Sequence, residues 1–203
     1  MADEARRSAG RPRDPRIRER VLLAAQRVYT RFGLAGFTFE AIAREAGVGK
    51  PAIYRRWTTT SELMDDILRS HVLVPGESSR GSIRAELQEI AMRTLELVHS
   101  DQGAFILRLS SERGQEPGLF DQYLIRLRNV IHFENRALVA EAMVGGELAA
   151  GCDPDLLIQS ITGAVLVSAL MRFTVAPETD RTAAEQYCSR LVDQVLGGVL
   201  PLA

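Results

Sequence analysis

Apolar residues recur every three or four positions along most of the chain, which is the spacing of amphipathic α-helices. In the first such stretch one stripe contains Ile17, Val21, Ala24, Ala25, Val28 and Phe32, and Gly33 ends it. The alternating runs of β-strands and the dipeptides of tight hairpins do not stand out. The pattern therefore predicts an all-α protein.

Capping residues predict where several helices begin. Side-chain oxygens of Ser, Thr and Asp accept hydrogen bonds from the unpaired N–H groups of a first helical turn, and proline fits that turn. The signals are, in chain order, Asp14 with Pro15, Thr38, Thr59 with Glu62, and Asp153 with Pro154. The helix after Thr38 is predicted to end at Ala46, and the helix that begins at Thr60 is predicted to reach about Leu73.

The stretch "PGESSRG", Pro75 to Gly81, predicts a linker. After it, the pattern predicts helices over about 82–99, 104–113, 118–144, 154–173 and 182–199. We therefore expect a basic arm at 1–13, a small helical domain at 14–60, a connecting helix with its linker at 61–80, and a helical body at 81–203.

Charge divides the chain in the same place. Residues 1–60 contain 13 basic and 6 acidic residues, a balance of +7, whereas residues 61–203 contain 12 and 20, a balance of −8. A basic small unit ahead of an acidic larger one suggests that the first unit binds a polyanion.

The stretch "EAIAREAGVGKPAIYRRW", Glu40 to Trp57, interrupts a helical pattern with two glycines and a proline. Ala43 is small where two helices cross, and Gly47 suits the left-handed conformation of a tight turn. Ile53 returns an apolar side chain to the same core, so the spacing is that of a helix-turn-helix. Ile53 and Trp57, one turn apart, are predicted to hold the short second helix against the core.

That orientation turns polar and small side chains outward, namely Lys50, Ala52, Tyr54, Arg55 and Arg56. Arg and Lys can donate to guanine O6 and N7, an alanine methyl can contact thymine, and a tyrosine can reach a phosphate. The face therefore suits the DNA major groove. The alternative is a solvated basic face on a purely structural helix pair.

These residues carry a family resemblance. "VYTRFGLAGFTFEAIAREAGVGKPAIYRRW" and "SELMDDIL", within Pro15 to Leu68, resemble the tetracycline-repressor (TetR) family of transcriptional regulators. The resemblance implies a homodimer formed through the last two helices and a small-molecule effector, bound in the body, that releases double-stranded DNA. It also implies base contacts from Lys50, Ala52, Arg55 and Arg56 and phosphate contacts from Thr38 and Tyr54, with Pro51 and Thr60 in the same DNA-binding set. This chain has Gly49 and Thr58 to Thr60 where the family often has serine and lysine.

The N-terminal arm contains a second candidate DNA contact. Arg11 and Arg13 flank Pro12, which favours an extended backbone that can lie in a narrow A·T-rich minor groove. These few residues resemble the core of an AT-hook. A disordered, solubilising tail is the alternative.

The body offers candidates for an effector site. Apolar side chains that could line a cavity are Met92, Phe105, Leu109, Tyr123, Leu127 and Phe133, and the polar groups that could orient a ligand are Arg108, His132 and Glu134. An apolar or mixed ligand is expected, with a solid core as the alternative. The predicted helix at 154–173 is apolar nearly all round, so it is either central to the core or covered by a second subunit.

Other classes of function find little support. The three histidines and the two cysteines, Cys152 and Cys188, lack metal-ligand spacing, and no catalytic signature is present, so we expect no enzyme, cofactor or metal. Without a membrane span or secretion signal, the cytoplasm is the expected location. The leading hypothesis is a ligand-responsive dimeric repressor that binds a near-palindromic operator. The alternatives are an architectural DNA-binding protein without an effector and a pure interaction protein.

Overall fold

The computed structural model describes residues 15–70, 81–112, 114, 117–174 and 176–198. Its helices are α1 (Pro15–Gly36), α2 (Phe39–Ala46), α3 (Lys50–Tyr54), α4 (Thr60–Ser70), α5 (Ile83–His99), α6 (Asp101–Ser111), α7 (Pro117–Val144), α8 (Pro154–Leu170) and α9 (Arg181–Leu196). All regular elements in these ranges are helices, which confirms the all-α prediction. The arm with Arg11 and Arg13, and most of the predicted linker, lie outside the described residues.

The chain divides into two compact units, Met1–Ser70 and His71–Ala203. In the first, α1 packs against α2 and α4, and α2 packs against α3. The side chains least exposed in this core include Val21, Ala25, Tyr29, Ile42, Ile53, Leu63, Met64 and Ile67. The sequence-based boundaries at residues 13, 60 and 80 stay predictions.

Two members of the predicted α1 stripe are not in the core, since Ile17 is half-buried and Phe32 is more exposed still. Phe32 is 50% exposed, whereas Tyr29, which the stripe omitted, is fully buried. Phe37 packs edge-on against Tyr29 with ring centroids 5.9 Å apart. Gly33 leaves the helical conformation at φ 64°, close to the predicted end of the helix. Phe37 therefore closes this end of the core, and Phe32 lies outside it beside the Arg31 guanidinium.

In the second unit α5 is central and packs against α8 and α9. Its core includes Leu87, Leu95, Ile161, Val165, Cys188 and Val192. Arg84 of α5 donates to both carboxylate oxygens of Asp193 on α9, over 2.7 and 2.9 Å. This hydrogen bonding lowers the pKa of Asp193. The Ser168 and Tyr187 hydroxyls, 2.5 Å apart, join α8 to α9.

Three helix ends in this unit differ by about three residues from the sequence-based prediction, and one of them is the end of α9, at Leu196 rather than near residue 199. The α6 helix begins at Asp101 rather than near residue 104, because the Ser100 hydroxyl accepts from Gly103 N over 3.1 Å and caps it. The α8 helix ends at Leu170 rather than near residue 173, since Arg172 takes a left-handed conformation at φ 57°. Among the described helices, none combines the length and apolar character that crossing a membrane requires.

Candidate nucleic-acid interface

The first helix of the predicted helix-turn-helix begins where the sequence predicts. The Thr38 hydroxyl accepts from Ala41 N over 3.2 Å, so Thr38 is the N-cap of α2. Thr38 remains exposed. Its hydroxyl hydrogen is therefore still able to donate to a phosphate oxygen while its lone pair caps the helix.

The turn after α2 is a Schellman motif. Gly47 adopts the left-handed conformation, φ 62° and ψ 39°. Its N–H bonds to Arg44 O over 3.3 Å, and Val48 N–H bonds to Ala43 O over 3.0 Å. These bonds satisfy the last carbonyls of α2 and reverse the chain direction. The predicted role of Gly47 as the turn residue is confirmed.

An arginine from α1 completes this turn. The Arg20 guanidinium donates to Ala46 O over 2.6 Å and to Gly47 O over 3.2 Å. A cation at a helix C-terminus complements the negative end of the helix dipole. Arg20 thus connects α1 to the turn. Sequence reasoning missed it because the contact spans 26 residues.

The short helix α3 is held by its buried side. Gly49 is its N-cap and makes no side-chain capping bond, and a proline stands in its first turn. Ile53 is fully buried and Trp57 is 5% exposed. A five-residue helix is too short to be stable alone. Tertiary packing of Ile53 and Trp57 therefore fixes the face that α3 presents, as the sequence predicted.

The outer face of α3 and the residue after it place four of the predicted contacts in solvent. The exposed residues are Lys50, Pro51, Tyr54 and Arg55, whereas Ala52 and Arg56 are half-buried. Arg56 Nη1, just past the end of α3, donates back to Ala52 O in that helix over 3.3 Å. Lys50 and Arg55 are consequently the exposed cations among these predicted contacts. The base and phosphate roles of all these residues stay predictions.

Two of these side chains are tied to α2. The Tyr54 ring meets Phe39 edge-on with centroids 4.9 Å apart, which restrains the phenol. Lys50 Nζ lies 3.2 Å from Glu40 Oε1 at the start of α2. The Glu40 carboxylate therefore lies on the predicted DNA-facing surface, beside Lys50, which is the only lysine in the sequence. Sequence reasoning did not single it out.

Asp66 on α4 connects Trp57, which follows α3, to Arg18 on α1. Its Oδ2 accepts from Trp57 Nε1 over 3.1 Å, and its Oδ1 accepts from Arg18 over 2.5 Å. The indole N–H is thereby satisfied in a nearly buried site. No local motif marks Asp66, since its partners lie nine and 48 residues away in sequence.

The start of α4 carries the predicted Thr59 and Glu62 signal. Glu62 N donates to the Thr59 hydroxyl over 3.1 Å, and the Glu62 carboxylate accepts from Thr58 N over 2.6 Å. Thr60, a predicted DNA contact, is half-buried in the first turn. The capping prediction is confirmed with one shift, because Glu62 bonds Thr58 N rather than Thr59 N.

The candidate effector residues lie mostly in the core of the second unit. Met92, Phe105, Leu109 and Tyr123 are less than 9% exposed. Phe105 and Tyr123 meet edge-on with centroids 6.5 Å apart, and burial raises the pKa of Tyr123. Their ligand role stays a prediction.

The other candidates are more open or not described. Leu127 is half-buried, and the Arg108 guanidinium pairs with Glu112 at 2.7 Å. The side chains of His132, Phe133 and Glu134 lie outside the described part. Across the residues that are described, no group of three or more His, Cys, Asp and Glu could hold a metal ion.

The fold and the exposed basic face define the class of the protein, a helix-turn-helix DNA-binding protein with a larger helical body. The chain belongs to the TetR family. The family model described as "Bacterial regulatory proteins, tetR family" matches residues 21–67, and the model described as "Tetracyclin repressor-like, C-terminal domain" matches residues 78–195.

Known relatives agree with this assignment. The HTH-type transcriptional regulator AqdR of Rhodococcus erythropolis is 32% identical over 107 residues, which cover 52% of this chain and 51% of AqdR. The chain thus spans about half the length of that relative. The ketosteroid regulator KstR2 of Mycobacterium tuberculosis has a similar fold, with TM-score 0.63, 20% identity and coverage of 91% and 95%. FadR of Bacillus subtilis, solved with stearoyl-CoA, gives TM-score 0.63, 13% identity and coverage of 89% and 98%.

Proposed function

We propose that the protein is a ligand-responsive transcriptional regulator that dimerises on a near-palindromic DNA operator and is released by a small molecule. The observation that carries the proposal is the outer face of α3. Ile53 and Trp57 fix the helix from behind, and Lys50 and Arg55 extend from it into solvent. A short helix held from behind, with exposed cationic side chains on its outer face, fits the major groove.

The proposed contacts divide into two kinds. Arg55 and Lys50 read guanine edges, with Ala52 against a thymine methyl and Arg56 beside them. Thr38 and Tyr54 bind phosphates, because the Thr38 hydroxyl marks a helix N-terminus and the Tyr54 phenol is exposed. Phosphate contacts position α3, and base contacts select the operator.

The proposed dimer interface includes an exposed apolar stripe on α8. Leu156, Val167 and Leu170 are 61%, 53% and 55% exposed and lie on one side of the helix, opposite the buried Ile161 and Val165. Gly163 lies on the same side, and a side chain there would meet nothing within 4 Å. Such a stripe favours burial by a second copy of the chain. A twofold axis would then present two α3 helices to successive major grooves, about 34 Å apart.

The proposed effector is apolar or mixed. The candidate residues Phe105, Leu109 and Tyr123 form aromatic and aliphatic core, with the Arg108 and Glu112 pair near its edge. Two proteins of similar fold are the ketosteroid regulator KstR2 and FadR solved with stearoyl-CoA. Ketosteroids and stearoyl-CoA both contain large apolar groups, so sterols and acyl-CoA esters are suitable first probes. Release of DNA by such a ligand corresponds to repression relieved by an inducer.

The DNA-binding proposal is tested on the DNA upstream of the protein's own gene. Arg55→Ala is expected to weaken binding by about 1–3 kcal/mol and to relax base preference at one position. Arg27→Ala is the control, because Arg27 is an exposed arginine on α1 outside the helix-turn-helix. Equal losses in both variants, or unchanged binding in Arg55→Ala, would contradict the assignment.

The dimer is tested by sedimentation equilibrium. Val167→Glu places a charge in the apolar stripe and is expected to shift the protein to monomer. Gln122→Glu, an exposed change on α7, is the control and should leave the mass unchanged. A monomeric wild-type chain would exclude the dimer. DNA release by sterol or acyl-CoA probes at micromolar concentration then tests the effector class.

A further inference from the structure

The ion pair between Glu40 and Lys50 joins the first turns of α2 and α3 on the predicted DNA-facing surface. Lys50 Nζ lies 3.2 Å from Glu40 Oε1, and the side chains are 50% and 73% exposed. Exposed pairs of this kind contribute little to stability. A carboxylate at this place also repels phosphates. Neither a contribution to stability nor attraction to DNA phosphates therefore explains why the pair is present.

We propose that Glu40 and Lys50 together read one C·G base pair in the major groove. This inference rests on the proposed DNA-binding function. Cytosine N4 is a donor and guanine O6 is an acceptor, and the two atoms are hydrogen-bonded partners roughly 2.9 Å apart. The Glu40 carboxylate and the Lys50 ammonium present an acceptor and a donor 3.2 Å apart, which is the complementary arrangement at matching spacing.

The chemistry sets the orientation of the pair. Glutamate accepts from cytosine N4, and lysine donates to guanine O6 and N7. An A·T pair also shows a donor beside an acceptor, but thymine O4 gives the ammonium one acceptor where guanine gives two. Glu40 therefore selects cytosine on its strand, and Lys50 selects the paired guanine.

Glu40 has a second effect on Lys50. While the carboxylate holds the ammonium, Lys50 is less available to bind phosphates of arbitrary sequence. The ion pair thus lowers the affinity for DNA of arbitrary sequence and strengthens the preference for one base pair. Without the Glu40 carboxylate, Lys50 should be able to bind DNA phosphates, so the affinity for any DNA duplex should increase.

The test is selection from a random duplex library with the full-length wild-type chain, Glu40→Gln and Glu45→Gln. Glu45 is also an exposed carboxylate on α2, so the control removes the same charge. The wild type and Glu45→Gln should select a common motif that contains a C·G pair. In Glu40→Gln the preference for this C·G pair should fall at least about 5-fold, the ratio that equals 1 kcal/mol. On an unrelated duplex, only Glu40→Gln should bind more tightly and with a steeper salt dependence.

The outcomes separate this inference from the proposed function. A wild-type chain that enriches no sequence would overturn DNA recognition itself. A shared motif in the wild type and Glu40→Gln would overturn only the reading of C·G, and would leave Glu40 as a first-turn carboxylate that stabilises α2 through the helix dipole. Equal changes in Glu40→Gln and Glu45→Gln would reduce the effect to net charge and also overturn the inference.

Discussion

Removal of the Asp66 carboxylate should destabilise the first unit by taking the hydrogen-bond acceptor from the buried Trp57 indole. Trp57 is 5% exposed, and its Nε1 donates to Asp66 Oδ2 over 3.1 Å. In Asp66→Ala the indole N–H loses this acceptor in a site with little access to water. Leaving a buried donor unsatisfied costs about 1–3 kcal/mol.

The second partner of Asp66 contributes less. The Arg18 and Asp66 side chains are 48% and 27% exposed, so their ion pair is partly screened by solvent. Pairs of this kind contribute about 0–1 kcal/mol. The expected loss in Asp66→Ala is therefore about 1–4 kcal/mol, most of it from the indole. Asp66→Asn keeps a carbonyl acceptor for Trp57 and should lose only about 1 kcal/mol.

Urea unfolding of the full chain measures these losses. Trp57 is the only tryptophan, so its fluorescence follows the first unit, and far-UV circular dichroism follows all helices. Trp57→Phe removes the donor and keeps most of the apolar ring. In a double-mutant cycle followed by circular dichroism, Asp66→Ala should cost about 1–2 kcal/mol less in the Trp57→Phe background.

Two results would refute this reasoning. Equal destabilisation by Asp66→Ala and Asp66→Asn would show that the acceptor for the indole is not what matters. A coupling energy near zero between positions 57 and 66 would show that Asp66 acts through Arg18 or through helix propensity alone.

Three further predictions follow from the turn and the second core. Arg20→Ala removes the cation that donates to Ala46 O and Gly47 O, so it should lower the free energy of unfolding in urea by about 1–2 kcal/mol. Arg20→Lys should restore only part of this loss, because lysine lacks the planar guanidinium that donates to both carbonyls. Gly47→Ala forces a β-carbon into a left-handed conformation and should cost about 1–2 kcal/mol, with Gly47→Asn less affected; equal losses in the two variants would contradict the conformational argument. Burial raises the pKa of Cys188 from 9.0 to about 11, so the folded state keeps a proton that the unfolded state releases. Stability from this thiol is complete below pH 9 and declines as pH rises toward 11, and Cys188→Ala should show a smaller decline in unfolding free energy over that interval.

Features set by neighbouring residues could be predicted from the sequence. Thr38 caps α2 through an N–H three residues away, and Gly47 ends α2 with bonds that stay within five residues. Ile53 and Trp57 are one turn apart, so their burial determines which side of α3 remains exposed. Short-range geometry of this kind depends on few degrees of freedom, and the residue types alone indicate it.

The hydrophobic pattern gives wrong predictions for some residues at the edge of a packed core. Periodicity placed Phe32 on the buried stripe of α1, but Phe37 already covers Tyr29 at that end, and Phe32 remains half exposed. The start of α6 was placed three residues late. Gly103 belongs inside the helix, where a β-carbon would lie 2.0 Å from Leu97 O, so this glycine allows close packing rather than marking a loop.

Contacts between distant residues could not be predicted in the same way. Arg20 is one of many arginines in a basic segment, and nothing near it in sequence indicates that it bonds the turn 26 residues later. Glu40 likewise resembles any first-turn carboxylate until Lys50 is seen beside it. Such partners become visible only when the helices are placed relative to one another.

These distant contacts explain how so short a helix can be held in a fixed position. Five residues of α3 cannot fold alone, so its position depends on Ile53, on Trp57 with its Asp66 acceptor, and on the turn that Arg20 supports. Because these contacts are made by the buried side of α3 and by the turn before it, the exposed Arg55 contributes little to holding the helix in place. Substitution of Arg55 can therefore change base preference without unfolding the unit, whereas substitution of Asp66 or Arg20 should weaken binding to all sequences alike.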